Sequence, residues 1–205
     1  MLAFLRQHLR ELAFLTVEHL LLVVVAMVLA VITGVMVGIL ISRREWLARP
    51  ILYLAGIIMT VPSVAMLGLL LPVVGIGKVP AVIALVLYGQ LPILRNTYTG
   101  IKGVEPAVLE SARGMGMTPL QVLRRIELPL AYPVILTGVR VAVVMNIGIA
   151  AIAAFIGAGG LGRYIYWGIA RTNDQMVIAG VIFVAILAVV VDWVLGRVER
   201  RAASG

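Results

Sequence analysis

Uncharged apolar runs alternate with short polar segments along the chain, and the lengths of the runs set the first expectation. A helix needs about 20 apolar residues to cross the hydrocarbon of a bilayer. Runs of that order fall at residues 20–41, 51–74, 79–94, 131–155 and 175–195, which predicts an all-α, polytopic membrane protein with about five transmembrane helices. Ahead of the first run, Leu2, Leu5, Leu9, Leu12 and Leu15 recur at steps of three and four with Arg6, Gln7, Arg10 and Glu11 between them. That pattern predicts an amphipathic helix over residues 1–19, lying in the membrane interface. The run that follows is too long for a cleaved signal peptide, and no small-x-small site closes it.

The runs carry interruptions. Pro62, within Thr60-Val61-Pro62-Ser63, removes a backbone donor in mid-span and predicts a kink, with Thr60 or Ser63 satisfying a freed carbonyl. The third run holds Tyr88, Gln90 and Pro92, and the fourth holds Arg140 and Asn146. Polar groups at that depth face protein or water rather than lipid. Thr60, Pro62, Ser63, Tyr88, Gln90 and Asn146 are therefore candidates for lining a polar pathway. Pro62 can equally be a packing kink and Asn146 an interhelical hydrogen bond. Arg140 can snorkel to a surface or pair with Asp192 on the last span, and the structural ion pair is the preferred reading.

The longest polar insertion, residues 95–129, reads as two short helices. Pro106 suits a first helical position after Glu105, and Ala107 to Met115 are good helix formers until Gly116 supplies a stop. Thr118-Pro119-Leu120-Gln121 has the form of a capping box and predicts a second helix to about Glu127, ended by Leu128-Pro129. The first helix exposes Val108, Leu109, Met115 and Met117, an adaptable apolar surface suited to a groove. The alternative is a pair of solvated helices resting on headgroups, with Arg113, Arg124 and Arg125 drawn to anionic lipid.

Composition and charge narrow the chemistry. The 205 residues are 62% hydrophobic, and the formal net charge is +8. The basic residues lie between the apolar runs, where they orient a membrane protein rather than bind nucleic acid. Eleven of them (Arg43, Arg44, Arg49, Arg95, Lys102, Arg113, Arg124, Arg125, Arg197, Arg200 and Arg201) fall on one side of five spans and five (Arg6, Arg10, Lys78, Arg163 and Arg171) on the other. This places the 95–129 loop and the basic tail at 196–205 in the cytoplasm and the N-terminus outside. With no cysteine, thiol catalysis and Cys-ligated zinc are excluded, and His8 and His19 lack a partnering acid cluster. No G-x-x-x-x-G-K-[ST] loop is present, so the chain does not hydrolyse ATP by that route, and no acid, base or metal-ligand set marks it as a membrane enzyme.

Glu110-Ser111-Ala112, three residues, Gly116, nine residues, then Ile126-x-Leu128-Pro129 resembles the EAA loop of the membrane subunits of binding-protein-dependent ABC importers. Ser111 stands where that family usually has alanine. Thr60-Val61-Pro62-Ser63, Leu91-Pro92-Ile93-Leu94-Arg95-Asn96-Thr97-Tyr98 and the run from Ala153 to Gly162 resemble the permeases for glycine betaine, choline, carnitine and related osmoprotectants, so that the likeness covers roughly residues 20–195.

The resemblance implies the type I ABC importer (MetI-like) fold, with residues 107–116 as the helix seated in a cytoplasmic ATPase subunit and Glu110 paired with a basic residue there. Glu110, Ser111, Ala112, Arg113, Gly116, Ile126 and Pro129 are the implied coupling residues. It further implies a second permease subunit, the same or related, and an external substrate-binding protein docking on residues 157–174 and near Gly75 to Lys78. ATP and Mg would sit on the partner ATPase, no cofactor or metal on this chain, and the setting would be a bacterial inner membrane. Tyr164, Tyr166 and Trp167 read first as an interfacial aromatic belt, with a cation–π cage for a quaternary ammonium as the alternative. The competing readings are the same machine for another small solute, such as an amino acid or a sulfonate, and a stand-alone channel.

Overall fold

The computed structural model describes residues 2–204, and among them every regular element is helical. The order is α1 (Leu2–Arg43), α2 (Glu45–Thr60), α3 (Ser63–Val74), α4 (Lys78–Lys102), α5 (Pro106–Gly114), α6 (Pro119–Val122), a π-helical turn (Leu123–Glu127), α7 (Leu128–Ile152), a 3-10 turn (Ala153–Ile156), α8 (Gly162–Ala170) and α9 (Asp174–Ser204). Four helical stretches are long and apolar enough to cross a membrane, and five if the bent pair α2 and α3 counts as one span.

The core is the seam where α1, α4 and α7 meet. Leu22, Val23, Ala26, Met27 and Ala30 pack against Ala81, Ala84, Leu85, Tyr88 and Ile93, with Ala142, Ile147 and Ala150 closing the third side. Between apolar helices in lipid the association rests on close approach, which favours small residues. Gly34 and Gly38 on α1 lie against Ile93 and Thr97 on α4, while Gly138 on α7 lies against Asn96 and the Pro92 carbonyl. Outward faces remain apolar, as at Leu21, Val25, Ile32, Ile186 and Val190, all exposed.

Four local expectations come out differently. Residues 2–19 are not a separate interfacial element: they continue the first span in one helix of 42 residues. No proline interrupts that stretch, and Leu12 and Leu15 are buried against Leu161, Tyr164, Met176 and Ala179. Residues 51–74 form two helices at 99° rather than one kinked helix. The break falls where Pro62 cannot continue α2 and instead caps α3, its carbonyl accepting from the Met66 N–H at 2.9 Å. The third span runs on to Lys102, so the loop is shorter than expected.

The fourth difference is at Leu128-Pro129, where the chain does not stop but passes through the π turn into α7. In an α-helix the Pro129 ring would crowd the Arg125 carbonyl and leave it without its N–H donor. A widened turn, closed by the Leu128 N–H donating to the Leu123 carbonyl, takes up that mismatch.

The two ends of the bundle are distinct. One gathers the α1–α2 corner, α5, α6 and the end of α9. The other gathers the start of α1, the 75–77 turn and the 153–173 connection, tied together by the Gly77 N–H on the Ile156 carbonyl at 2.9 Å and by Lys78 on Glu18 at 3.0 Å.

Candidate coupling loop and pathway residues

Helix α5 begins as its sequence directs, with Pro106 in its first turn, where the missing N–H costs no bond. It ends in a Schellman stop: the Met117 N–H donates to the Ala112 carbonyl at 3.2 Å and the Gly116 N–H to the Arg113 carbonyl at 2.9 Å. Gly116 sits at φ +79°, a conformation that glycine adopts without steric cost. The Thr118 side chain then accepts from the Gln121 N–H at 3.4 Å while Gln121 accepts from the Thr118 N–H at 2.8 Å, completing the capping box of α6.

Within this loop the residues divide by exposure. Ala112 is buried, while Glu110, Ser111, Arg113 and Gly116 face outward, and Ser111 returns its hydroxyl to the Ala107 carbonyl at 2.8 Å. Met115 is 70% exposed. Ile126 is half-buried and Pro129 exposed, at the far stem of the loop. The arrangement presents one short amphipathic helix, rigidly stopped at its end, outside the bundle.

The pathway candidates separate into two groups. Thr60, Pro62 and Ser63 form the α2–α3 break, with the Thr60 hydroxyl donating to the Ile57 carbonyl at 2.7 Å. Tyr88 joins them, its hydroxyl donating to the Val61 carbonyl at the break itself. Gln90 and Asn146 are elsewhere, in the α1–α4–α7 seam. The Gln90 amide donates to the Thr33 hydroxyl at 2.9 Å, and that of Asn146 to the Leu85 carbonyl at 2.9 Å. Asn146 is fully buried, which fits the interhelical bond better than a pathway contact.

Arg140 and Asp192 meet in a fork of two hydrogen bonds, 2.7 and 2.8 Å, joining α7 to α9. Sequence reasoning missed the third member: Glu199 accepts from Arg140 at 2.9 Å and from the Thr137 hydroxyl at 2.5 Å. Glu199 lies seven residues from Asp192, two turns along α9, and that spacing was the available signal. Two ion pairs at the α1–α2 corner were also missed, Arg43 with Glu127 and Lys102 with Glu45. Their partners are 84 and 57 positions apart, beyond any local periodicity.

At the opposite end the aromatic group splits, with Tyr166 exposed and edge-on to Phe155 at 5.1 Å between ring centres. Tyr164 is fully buried and donates to a Glu11 oxygen at 2.8 Å. Burial, reinforced by that carboxylate, pushes its phenol far above the ordinary range. The Arg163 and Arg171 guanidiniums stand 4.5 and 5.6 Å from the Trp167 ring centre. Glu18 is engaged by Lys78 and by the Gly160 N–H at 2.9 Å. A cavity of about 430 Å³ adjoins these groups, lined by one carboxylate, Glu18, and one guanidinium, Arg163, together with Phe155, Tyr166 and Trp167. No cluster of three metal-ligating side chains occurs among the described residues.

The model of the binding-protein-dependent transport system inner membrane component matches residues 16–204. The chain belongs to this family. It is thus a multi-pass, inner-membrane permease subunit of an ABC importer, a transport component rather than an enzyme, in a family whose members work with an ATPase and a binding protein. The permease is 50% identical over 193 residues to the osmoprotectant import permease protein OsmW of Salmonella typhimurium, covering 92% of this chain and 90% of that one. It is 46% identical over 191 residues to the choline transport system permease protein OpuBB of Bacillus subtilis, covering 93% and 88%. Among solved structures, the permease fold matches that of the MetNI methionine ABC transporter in inward-facing conformations, with a TM-score of 0.83, 22% identity and 97% of both chains covered. At that identity the likeness shows the fold alone.

Proposed function

We propose that this permease forms the translocation pathway for a quaternary-ammonium osmoprotectant of the glycine betaine, choline and carnitine class. The observation that carries the reading is the relationship to OsmW at 50% identity across nearly the full length of both chains. A Bacillus subtilis relative named for glycine betaine, carnitine and choline transport, 44% identical over 201 residues and covering 98% of this chain, supports the same class. The fold neighbour named for methionine is far more distant in sequence.

In this reading the basic end of the bundle lies in the cytoplasm and the N-terminus outside, as the distribution of Lys and Arg favours. Helix α5 seats in a partner ATPase, which binds ATP and Mg, with Glu110 facing a basic residue of that subunit. Closure of two ATPases moves α5 as a rigid lever and switches the pathway between inward- and outward-facing states. Two permease chains, identical or related, enclose the pathway, with the α2–α3 break at its wall and the buried Tyr88 bracing that break from behind. An external binding protein docks over residues 157–174 and near Gly75 to Lys78. The Arg140 charge is cancelled by Asp192 and Glu199, so a cationic solute meets no net repulsion there.

The test is reconstitution with the cognate ATPase and binding protein in proteoliposomes, followed by ATP hydrolysis as solutes are added. Stimulation by at least one quaternary amine, dependent on the binding protein, is expected. Stimulation by methionine or a sulfonate with none by any quaternary amine would overturn the substrate class.

A further inference from the structure

The α1–α2 corner is a break of one residue: α1 ends at Arg43, α2 begins at Glu45, and Arg44 between them has φ −128° and ψ 82°. Both stems of the docking loop are fastened to this corner. At the leading stem, Lys102 in the last turn of α4 reaches Glu45 at 2.6 Å. At the trailing stem, Glu127 in the π turn is gripped by both guanidinium nitrogens of Arg43, one of them 3.1 Å from its partner oxygen. The two pairs are unequal. Glu45 and Lys102 are exposed, whereas the Glu127 side chain is only 4% exposed.

An exposed pair contributes little because water competes with it and both chains are free to move. A buried carboxylate held by a two-pronged guanidinium is different: the geometry is directional, and release leaves a charge without solvent. The corner in turn leads into α2, a 16-residue helix that ends at the 99° break where Tyr88 holds the Val61 carbonyl. A displacement of the trailing stem thus has a stiff mechanical route into the α2–α3 break.

We propose that Arg43 and Glu127 are positioning residues that transmit movement of the docking loop to α1 and α2, so that the loop drives the bundle through its trailing stem as well as through the covalent chain. This rests on the reading of α5 as the ATPase contact. Arg43 and Glu127 touch neither solute nor nucleotide; they fix how far the α1–α2 corner follows α5.

The assembled transporter with its ATPase and binding protein tests this, read as solute imported per ATP hydrolysed in Glu127→Gln, Glu45→Gln and Gly116→Val. Glutamine keeps the volume of Glu127 and removes the charge. The expected result is a fall of about tenfold in the ratio for Glu127→Gln, within the range of ordinary coupling between sites, and no change for Glu45→Gln. An unchanged ratio in Glu127→Gln overturns the proposal. If that variant fails to assemble, Arg43→Lys takes its place, keeping the charge but losing the fork: a lowered ratio supports the proposal and an unchanged one overturns it. Gly116→Val separates the two readings. If it too leaves the ratio unchanged, the docking role of α5 fails; if it lowers the ratio while the buried-pair variants do not, only the transmission through Arg43 and Glu127 fails.

Discussion

Two connections at opposite ends of the bundle, residues 103–118 and 153–173, use the same six-residue helix stop and put it to opposite ends. In the first, Met117 bonds back to Ala112 and Gly116 to Arg113, with Gly116 at φ +79°. In the second, Ala158 bonds back to Ala153 and Gly157 to Ala154, with Gly157 at φ +80°. The backbone solution is shared; the surroundings are not. Around Gly116 a β-carbon would meet nothing within 4 Å, and α5 stands outside the bundle. After Gly157 the chain sinks into the fold, with Ala158, Leu161 and Tyr164 fully buried. A local motif therefore says where a helix ends, while its packing says how far the segment that follows is tied into this chain.

The largest effect that would break this contrast belongs to Gly162. A β-carbon there would lie 1.9 Å from the Ala151 carbonyl oxygen, and a backbone atom of α7 has nowhere to move. Gly162→Ala is expected to destabilise the protein by about 3 kcal/mol or more, at the upper end of overpacking effects, and to lower its melting temperature in detergent sharply. A melt like that of the unaltered protein would mean that the 153–173 connection is not held by close packing.

Gly116→Val comes next and should separate stability from function. Left-handed backbone at a residue with a β-carbon costs about 1–2 kcal/mol, but here the cost falls on a loop stop and touches no packed neighbour. Membrane insertion and the melt of the bundle should be little changed, while uptake falls by about tenfold as hydrolysis continues. Normal uptake in this variant would mean that the stop at Gly116 serves only the local fold.

The same contrast marks what the sequence could reveal. Stops and caps are written in adjacent residues, so Gly116, Pro106 and the Thr118–Gln121 box were legible, as were the apolar runs whose lengths predict helices that cross a bilayer. At long range only the charge inside a span was legible, as Arg140 with Asp192. Arg43 and Glu127 are brought together by the crossing of α1 over the π turn, and nothing in either local sequence specifies that crossing. Pro62 indicated a bend, but neither its 99° angle nor the bond from Tyr88 of α4 to the Val61 carbonyl is written in the residues around it. The apolar stripe of residues 2–19 suggested lipid because a period reports only that a face is apolar; Leu161 and Tyr164 supply the partner.

The smallest effect, and the one of opposite sign, lies at the end of α8. Asn173 bonds back to Gly168 at 2.8 Å and Thr172 to Ile169 at 3.2 Å, so this is the same stop again, but with Thr172 at φ +50° where the other two have glycine. A β-branched residue there carries about 1–2 kcal/mol of strain, and replacing it with glycine gives back about 0.5–1 kcal/mol in chain entropy. Thr172 is exposed, so no packing is lost. Thr172→Gly is therefore expected to stabilise the protein by about 0.5 kcal/mol, seen as a small rise in melting temperature with uptake unchanged. If the melt rises but binding-protein-stimulated hydrolysis falls, the strain at Thr172 is holding the 153–173 surface in a shape that another protein reads. The contrast between the two connections would then be one of degree, since both ends of the bundle would present a backbone set for a partner.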